Sequence, residues 1–547
     1  MALNRTHKAG LYTACLLASL TISFRSQLLS SFTLLLGDRF DGVIEVAILE
    51  HWFNVVRGIE PWNQTLWFHP YRDTLAYNDG FFLYGLAYAL FRSIGADVFL
   101  AAELVNILLR AVAFAAMEQF LRRCLRLATP FALGGATLFA LSFALSMHAE
   151  HAQLLSVAFI PLLATLAWTA AQAFERQDWP GFLGIACLAS LLLGTWLLTA
   201  FYTAWFTLFL LACTALLAAL TERRRLLCTV RALPPAAWAS LAAAAILLAL
   251  ATLPFLVAYL PKARATGMHS RALAFYYATN PLDLLHTGPG NLLLSPLDAI
   301  LQRTFRPRGP DGAEHTVGLT WTLLAVFLLA CVRLWRTRRT RTDRPMALVA
   351  AATILVWLIT VRYGAWSPWF VVRVLVPGAK ALRVVVRYQL VMLAPVIAVA
   401  AWYLARTRLS AVRIALIAVL LLTEQIATAP PLRLDRPQEL ARVRAIPAPP
   451  PACRSFFVAR GRPATPSEPP SEINAIYSHN VDAMLLAERF ALPTVNGFST
   501  FNPPDWNFVE PDAPDYQARI RTYAQAHTLE HLCALDLTSL TWSEPPP

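Results

Sequence analysis

Asp38 and Asp41 are the first residues of the chain whose types and spacing could do chemistry. They lie in the motif Gly37-Asp38-Arg39-Phe40-Asp41, directly after a long hydrophobic segment. Carboxylates are costly in hydrocarbon, so such a pair marks either a membrane boundary or a site. Two carboxylates three residues apart fall on one side of a helical turn or converge in a tight loop. They can act as a general base toward an acceptor hydroxyl or bind a divalent metal that carries a phosphate. The alternative is a solvated loop at the membrane exit.

A second polar group lies in the turn 147–153, where His148, Glu150 and His151 separate two hydrophobic segments. Titratable residues in so tight a turn can position a phosphate, a metal or an acceptor hydroxyl. Their order and spacing differ from the HExxH motif, so a zinc protease is not indicated. The alternative is a set of polar side chains that fills a hairpin turn at the membrane interface.

A third group, Lys380, Arg383 and Arg387, precedes another hydrophobic segment. Arginines at positions i and i+4 share a helical face, which predicts that Arg383 and Arg387 could clamp a lipid-linked phosphate or pyrophosphate. Anchoring of lipid headgroups is the alternative role for these cations.

The composition indicates which elements must position these groups. Of 547 residues, 57% are hydrophobic and only 14% are charged, whereas soluble proteins carry roughly a quarter charged residues. We therefore predict an all-α polytopic membrane protein. The net charge of +13 arises from short basic clusters between hydrophobic segments. Such clusters are typical of cytoplasmic loops and do not indicate a nucleic-acid partner.

Runs of about 20 hydrophobic residues suffice to cross a bilayer, and the sequence predicts about 11 such spans. They are 9–36, 97–121, 127–147, 152–174, 181–199, 200–221, 235–260, 316–335, 346–363, 388–405 and 411–429. The segment 80–94 is hydrophobic but shorter. We expect it to form an interfacial or re-entrant juxtamembrane helix, beside a second one at about 42–57.

The distribution of basic residues predicts the orientation. A cytoplasmic N-terminus places every strongly basic loop inside, including 333–344 with its six arginines. Counting 80–94 as a span would instead place the basic cluster at 122–126 outside. The loops 37–96, 261–315 and 364–387 are then outside, as is the tail. The third polar group therefore lies outside, against the usual bias.

The expected domains are a transmembrane domain over 1–429 and a small extracytoplasmic domain over 430–547, which opens with a proline-rich linker. The tail contains Cys453 and Cys533. If the tail is outside, these residues are a candidate disulfide, and a pair of buried free thiols is the alternative.

The arrangement resembles the GT-C superfamily of polytopic glycosyltransferases, in the branch of uncharacterised bacterial membrane proteins. A first span leads into an outside loop that opens with the acidic motif, a second outside turn carries polar residues, and an outside domain closes the chain. The similar segments are Trp67-Phe68-His69-Pro70-Tyr71, His151-Ala152-Gln153, Leu382-Arg383-Val384-Val385-Val386-Arg387, Asp482-Ala483-Met484 and Pro493-Thr494-Val495-Asn496-Gly497-Phe498. The oligosaccharyltransferase-type WWD motif is absent from the tail, which puts transfer to asparagine in doubt.

This resemblance implies transfer of a sugar from a polyprenyl-phosphate donor to a glycan, lipid or protein acceptor at the outer face of the bacterial inner membrane. The catalytic base maps by position to Asp38 or Asp41, and Asp38 is favoured because it lies nearest the membrane. Arg383 and Arg387 are the candidate cations for the donor phosphate. No cofactor is implied, and a divalent metal is compatible with this chemistry. A flippase of lipid-linked sugars and a non-catalytic envelope-assembly protein remain the alternatives.

Overall fold

The computed structural model describes residues 5–149, 151–305, 313–337, 340, 343–428, 433–462 and 472–544. The helices of the first half of the chain are α1 (Arg5–Ser23), α2 (Arg25–Leu29), α3 (Asp41–Val56), α4 (Phe82–Ser93), α5 (Val98–Gln119), α6 (Thr129–Leu141), α7 (Phe143–Met147), α8 (Phe159–Glu175), α9 (Trp179–Thr199), α10 (Phe201–Thr221), α11 (Arg223–Arg231) and α12 (Pro235–Thr266).

The helices of the second half are α13 (Arg271–Tyr276), α14 (Ser295–Phe305), α15 (Trp321–Thr337), α16 (Arg344–Thr360), α17 (Trp369–Leu375), α18 (Tyr388–Val391), α19 (Leu393–Leu404), α20 (Ala411–Thr423), α21 (Arg436–Arg444), α22 (Glu472–Phe490) and α23 (Tyr516–Ala526). The strands are β1 (Leu34–Leu36), β2 (Arg433–Asp435), β3 (Ser455–Arg460), β4 (Leu532–Asp536) and β5 (Thr541–Ser543).

Seven helical segments within the described residues are long and apolar enough to cross a membrane. They are Val98–Cys124, Thr129–Met147, Ala152–Glu175, Trp179–Thr199, Phe201–Thr221, Pro235–Thr266 and Val385–Leu404. All seven coincide with expected spans, and the prediction of a polytopic helical membrane protein is confirmed. The other four expected spans contain shorter or less apolar helices, namely α1, α15, α16 and α20. The segment 80–94 forms the 12-residue helix α4, as expected of an element too short to span.

The chain divides into two compact units. The first comprises Met1–Arg25, Ile107–Leu253 and Met268–Pro431, and the second comprises Ser26–Asn106, Pro254–Gly267 and Leu432–Pro547. The first unit is a helical bundle in which α19 is buried along its length and packs against α6, α15 and α16. The expected boundary between 429 and 430 stays a prediction, and the last segment of the second unit begins beside it.

The second unit combines the first loop that was expected outside with the tail. Strand β1 pairs antiparallel with β2, while β3 pairs parallel with β4 and β4 pairs antiparallel with β5. A hydrophobic core of β3, β4 and α22 side chains, among them Phe456, Leu486 and Leu535, lies behind the three-stranded sheet. Cys453 and Cys533 form a disulfide across this core, so the structure has the disulfide and not the free thiols.

Candidate functional site

The acidic motif lies in the second unit, at the turn between β1 and α3. Gly37 has a φ of +97°, a left-handed conformation that favours glycine. A Cβ atom on Gly42 would lie 3.4 Å from the Cα of Gly37 and 3.1 Å from the Cδ1 of Leu434 in β2. Glycine at both positions therefore lets the turn fold tightly against the strand from the tail.

Asp38 is held by the backbone of this turn. Its Oδ1 accepts hydrogen bonds from the N–H groups of Phe40, at 2.9 Å, and Gly42, at 3.0 Å. The bond to Gly42 satisfies one of the first N–H groups of α3, which have no partner inside the helix. Burial raises the pKa of Asp38, although the backbone N–H groups partly oppose this effect. The result is an oriented, partly desolvated carboxylate.

Asp41 is the first residue of α3, where a negative charge is favoured by the helix dipole. Because Asp38 precedes the helix that Asp41 begins, the two carboxylates do not lie on one helical face.

Arg39, which stands between the two aspartates in the sequence, contacts the tail. Its Nε is 3.4 Å from Glu439 Oε1 in α21, and its Nη2 is 3.4 Å from Asp482 Oδ1 in α22. Arg462 also pairs with Asp482, at 3.2 Å. The acidic motif is thus fixed to two helices whose residues are about 400 positions away.

Two of the similar segments pair with each other in the same unit. The N–H of Phe68 donates to the carbonyl of Asn496 at 3.0 Å, and that of His69 donates to Thr494 at 2.9 Å. A Cβ atom on Gly497 would lie 2.6 Å from the Phe68 ring, so only glycine fits against this buried aromatic residue. These residues support the loop, and Phe498 at the end of the second segment packs edge-on against Phe40 of the acidic motif, with ring centres 4.7 Å apart.

In the first unit, the other candidate residues gather around a bidentate ion pair. Arg387 donates from Nε to Glu314 Oε2 at 2.8 Å and from Nη2 to Glu314 Oε1 at 2.5 Å. Both side chains are largely buried, with 8% and 16% of their surface exposed. Burial alone would raise the pKa of Glu314, but the Arg387 charge and the nearby histidines lower it to about 2.

His148 and His151 lie beside this pair. His151 Nε2 is 3.9 Å from Glu314 Oε1, and His148 is almost fully buried. Burial, with the positive charge of Arg387, lowers the pKa of His148 to about 4 and that of His151 to about 3. Both rings are therefore neutral at pH 7. Glu150, the third candidate in this turn, lies outside the described residues.

Arg383 lies close to the same cluster, but Lys380 does not join it. The Arg383 guanidinium is 5.5 Å from the centre of the Tyr277 ring, and its backbone N–H donates to the Tyr202 hydroxyl at 2.6 Å. Lys380 is exposed. The prediction that Arg383 and Arg387 share a helical face is wrong, because the chain is extended at Leu382 and only a short 3-10 turn, Val385–Arg387, separates it from α18.

The sequence reasoning missed Glu314, which lies at the centre of this group. The available signal was its position, because it is an acidic residue shortly before the predicted span 316–335. We call Arg387, Glu314, His148, His151 and Arg383 the arginine–histidine cluster. It brings together three segments that were all expected on the outer face.

No family model and no curated protein matches the chain. Among solved structures, the chain is similar to the arabinofuranosyltransferase AftD from Mycobacteria, with a TM-score of 0.49 and 15% identity over 98% of this chain and 35% of that one. It is also similar to the oligosaccharyltransferase of Archaeoglobus fulgidus in its apo form, with a TM-score of 0.46 and 14% identity over 95% of this chain and 69% of that one.

Both TM-scores are below 0.5, so these similarities carry no argument, and the GT-C resemblance remains an expectation from the motifs. The chain spans 35% of the length of the arabinofuranosyltransferase.

Proposed function

We propose that the chain is a membrane glycosyltransferase. It transfers a sugar from a polyprenyl-phosphate donor to a glycan, lipid or protein acceptor at the outer face of the bacterial inner membrane. The observation that carries the proposal is the Asp38 carboxylate, which is oriented by two backbone N–H groups and whose pKa burial raises. A carboxylate in this state is a better general base than one in water, because its proton affinity is higher.

In the proposed reaction, the acceptor hydroxyl gives its proton to the carboxylate as its oxygen bonds to the anomeric carbon of the donor sugar. The bond between that carbon and the donor phosphate breaks, and the phosphate leaves with the electron pair. Attack from the side opposite the leaving group inverts the anomeric centre. Asp38 is the first choice for the base, and Asp41 is the second.

The arginine–histidine cluster is the candidate site for the donor phosphate. Glu314 fixes the plane of the Arg387 guanidinium through two hydrogen bonds, and fixed guanidinium groups suit phosphate oxygens. The neutral rings of His148 and His151 can donate hydrogen bonds without adding charge. Arg383 supplies a second cation beside them, and the exposed Lys380 is left with the headgroup-anchoring role.

The disulfide supports the proposed orientation of the tail. Cys453 and Cys533 are bonded, and disulfides persist in oxidising compartments such as the periplasm. The tail is therefore proposed to be extracytoplasmic, which agrees with the distribution of basic loops that places the N-terminus inside.

The test is sugar transfer from a radiolabelled polyprenyl-phosphate sugar by membranes that contain the full chain. Asp38→Asn should lower the rate by about 10²- to 10⁴-fold, the usual contribution of a general base. Asparagine retains a side-chain oxygen that accepts from Phe40 and Gly42, so folding is kept. Asp41→Asn is the matched variant in the same turn, and it should have the smaller effect.

Asp38→Ala, compared with Asp38→Asn, measures how much the hydrogen bonds of this carboxylate contribute to stability. It removes both the base and the hydrogen bonds, so it should cost about 1 kcal/mol of stability in addition to the rate. If Asp38→Asn, Asp41→Asn and the double variant all transfer sugar at the wild-type rate, no carboxylate of this turn is the base. If the wild-type protein moves the lipid-linked sugar across vesicles without transferring it, the flippase alternative replaces this proposal.

A further inference from the structure

A second group of titratable side chains lies in the second unit and plays no part in the proposed reaction. It consists of His51 in α3, Glu60 in the loop that follows, and Glu488 near the end of α22. One ligand atom from each lies within 4.8 Å of the others. All three residues are buried, with exposed fractions of 0%, 7% and 2%. We call them the histidine–glutamate cluster.

Both ring nitrogens of His51 lie within hydrogen-bond distance of an oxygen atom. Its Nε2 is 3.2 Å from the carbonyl oxygen of Trp62, which can only accept, so this nitrogen carries the proton. The other ring nitrogen, Nδ1, lies 2.8 Å from Glu60 Oε2. A ring nitrogen and a carboxylate oxygen at this distance require a proton or a metal cation between them.

The charge of the two carboxylates leads to the same requirement. Within the part of the chain that the structure describes, no lysine or arginine forms an ion pair with Glu60 or Glu488, and Glu60 Oε1 is buried without a hydrogen-bond partner. Buried carboxylates are strongly disfavoured unless they are neutralised or coordinate a metal. A buried carboxylate oxygen without a hydrogen-bond partner is available as a ligand atom.

Neighbouring residues form hydrogen bonds to the histidine–glutamate cluster, as residues around a bound metal do to its ligands. Asn54 donates from Nδ2 to Glu488 Oε2 at 2.9 Å, and the backbone N–H of Leu66 lies 3.4 Å from Oε1 of the same residue. The Trp62 carbonyl fixes the ring of His51 in the tautomer that presents Nδ1. Ligating histidines usually donate their other N–H to a carbonyl or carboxylate in this way.

We infer that His51, Glu60 and Glu488 bind a divalent transition-metal ion, and zinc is the probe of choice. One imidazole and two carboxylates suit zinc, whereas magnesium and calcium prefer oxygen ligands alone. The ion would tie α3 to α22, so its role is to stabilise the unit that contains the acidic motif. This inference is independent of the proposed glycosyltransferase activity.

The test is the metal content of the full chain, purified in detergent with a tag that lacks histidine and measured by plasma mass spectrometry. The wild-type protein should contain about one zinc per chain, and Glu488→Gln and His51→Asn should each contain less than about 0.1. His527→Asn is the matched control. It removes a histidine that lies 2.7 Å from a single carboxylate, Asp505, in the same unit, and it should keep the metal.

Folding of the variants is checked by gel filtration, and the wild-type protein provides a test that does not depend on them. After chelation, adding back zinc should raise the melting temperature of wild-type protein and of His527→Asn, but not that of folded Glu488→Gln. A wild-type protein without metal, whose melting temperature does not respond to zinc, would mean that the carboxylates share a proton instead. Zinc retained by both cluster variants would place the metal elsewhere and overturn the inference.

Discussion

The ion pair between Arg387 and Glu314 gives the most quantitative prediction. Replacing Arg387 with methionine keeps much of its length but leaves Glu314 as a buried charge without its main partner. The pKa of Glu314 is about 2, against 4.5 for an ordinary glutamate. This difference corresponds to roughly 3 kcal/mol of stabilisation of the ionised form. Breaking a buried pair from one side typically costs about 3 to 5 kcal/mol, so Arg387→Met should lower the free energy of unfolding by about 3 kcal/mol.

The double variant separates the interaction energy of the ion pair from the cost of burying each charge. Arg387→Met combined with Glu314→Leu removes both buried charges, so it should lose less than the sum of the single variants, with a coupling energy of about 3 kcal/mol. The control is the pair Arg519–Asp515, in which 18% of the Arg519 side chain and 68% of the Asp515 side chain are exposed. Its coupling should stay below about 0.5 kcal/mol.

Both cycles are measured by unfolding the protein in mixed detergent micelles at pH 7.5, with tryptophan fluorescence as the signal. The pH dependence has a defined sign. Because the pKa of Glu314 is lower in the folded chain than in the unfolded one, its contribution is complete above pH 4.5 and is lost as the pH falls toward 2. The histidines, whose pKa values are also lowered, already reduce stability as the pH falls below 6.5. A coupling energy near zero at pH 7.5 would refute the assigned pair.

Two further predictions concern the second unit. Gly497→Ala should cost about 1 to 3 kcal/mol, because its new methyl group would meet the fully buried Phe68 ring. Gly184→Ala, where the added Cβ meets nothing within 4 Å, should not destabilise the protein, and equal effects in thermal unfolding would contradict the argument. Replacing Cys453 and Cys533 by alanine opens a loop of 80 residues and should cost about 4 kcal/mol. Labelling of both thiols in unreduced wild-type protein would show that the bond does not form.

The sequence predicts the elements of the fold better than the contacts between them. The hydropathy of a run such as Trp179–Thr199 is a local property, so seven of the expected spans appear with similar bounds. The helix expected over 316–335 begins later, at Trp321, and is 17 residues long. Hydropathy alone does not reveal that the residues just before Trp321 lie outside the helix. The 12 residues of the helix Phe82–Ser93 are too few for a span, and the length of the hydrophobic segment already predicts this.

The sequence predicts the residue types of the candidate site but not which of these residues pair with each other. The pair of Arg387 and Glu314 joins residues 73 positions apart, and no spacing rule connects them. The histidine–glutamate cluster is still less visible, since His51 and Glu488 come from opposite ends of the chain. The expected helical face of the two arginines is wrong for a local reason, because the backbone is extended at Leu382 and becomes helical only from Val385.

The choice between Asp38 and Asp41 rests on how each carboxylate is held. A base must keep a high proton affinity, and a nearby cation or a helix N-terminus lowers it. Asp41 begins α3 and lies where the helix dipole favours the ionised form. The guanidinium of Arg39, the cation between them in sequence, is shared by Glu439 and Asp482 of the tail. At Asp38, burial outweighs the backbone N–H groups and raises the pKa, which favours Asp38 over Asp41 as the proposed base.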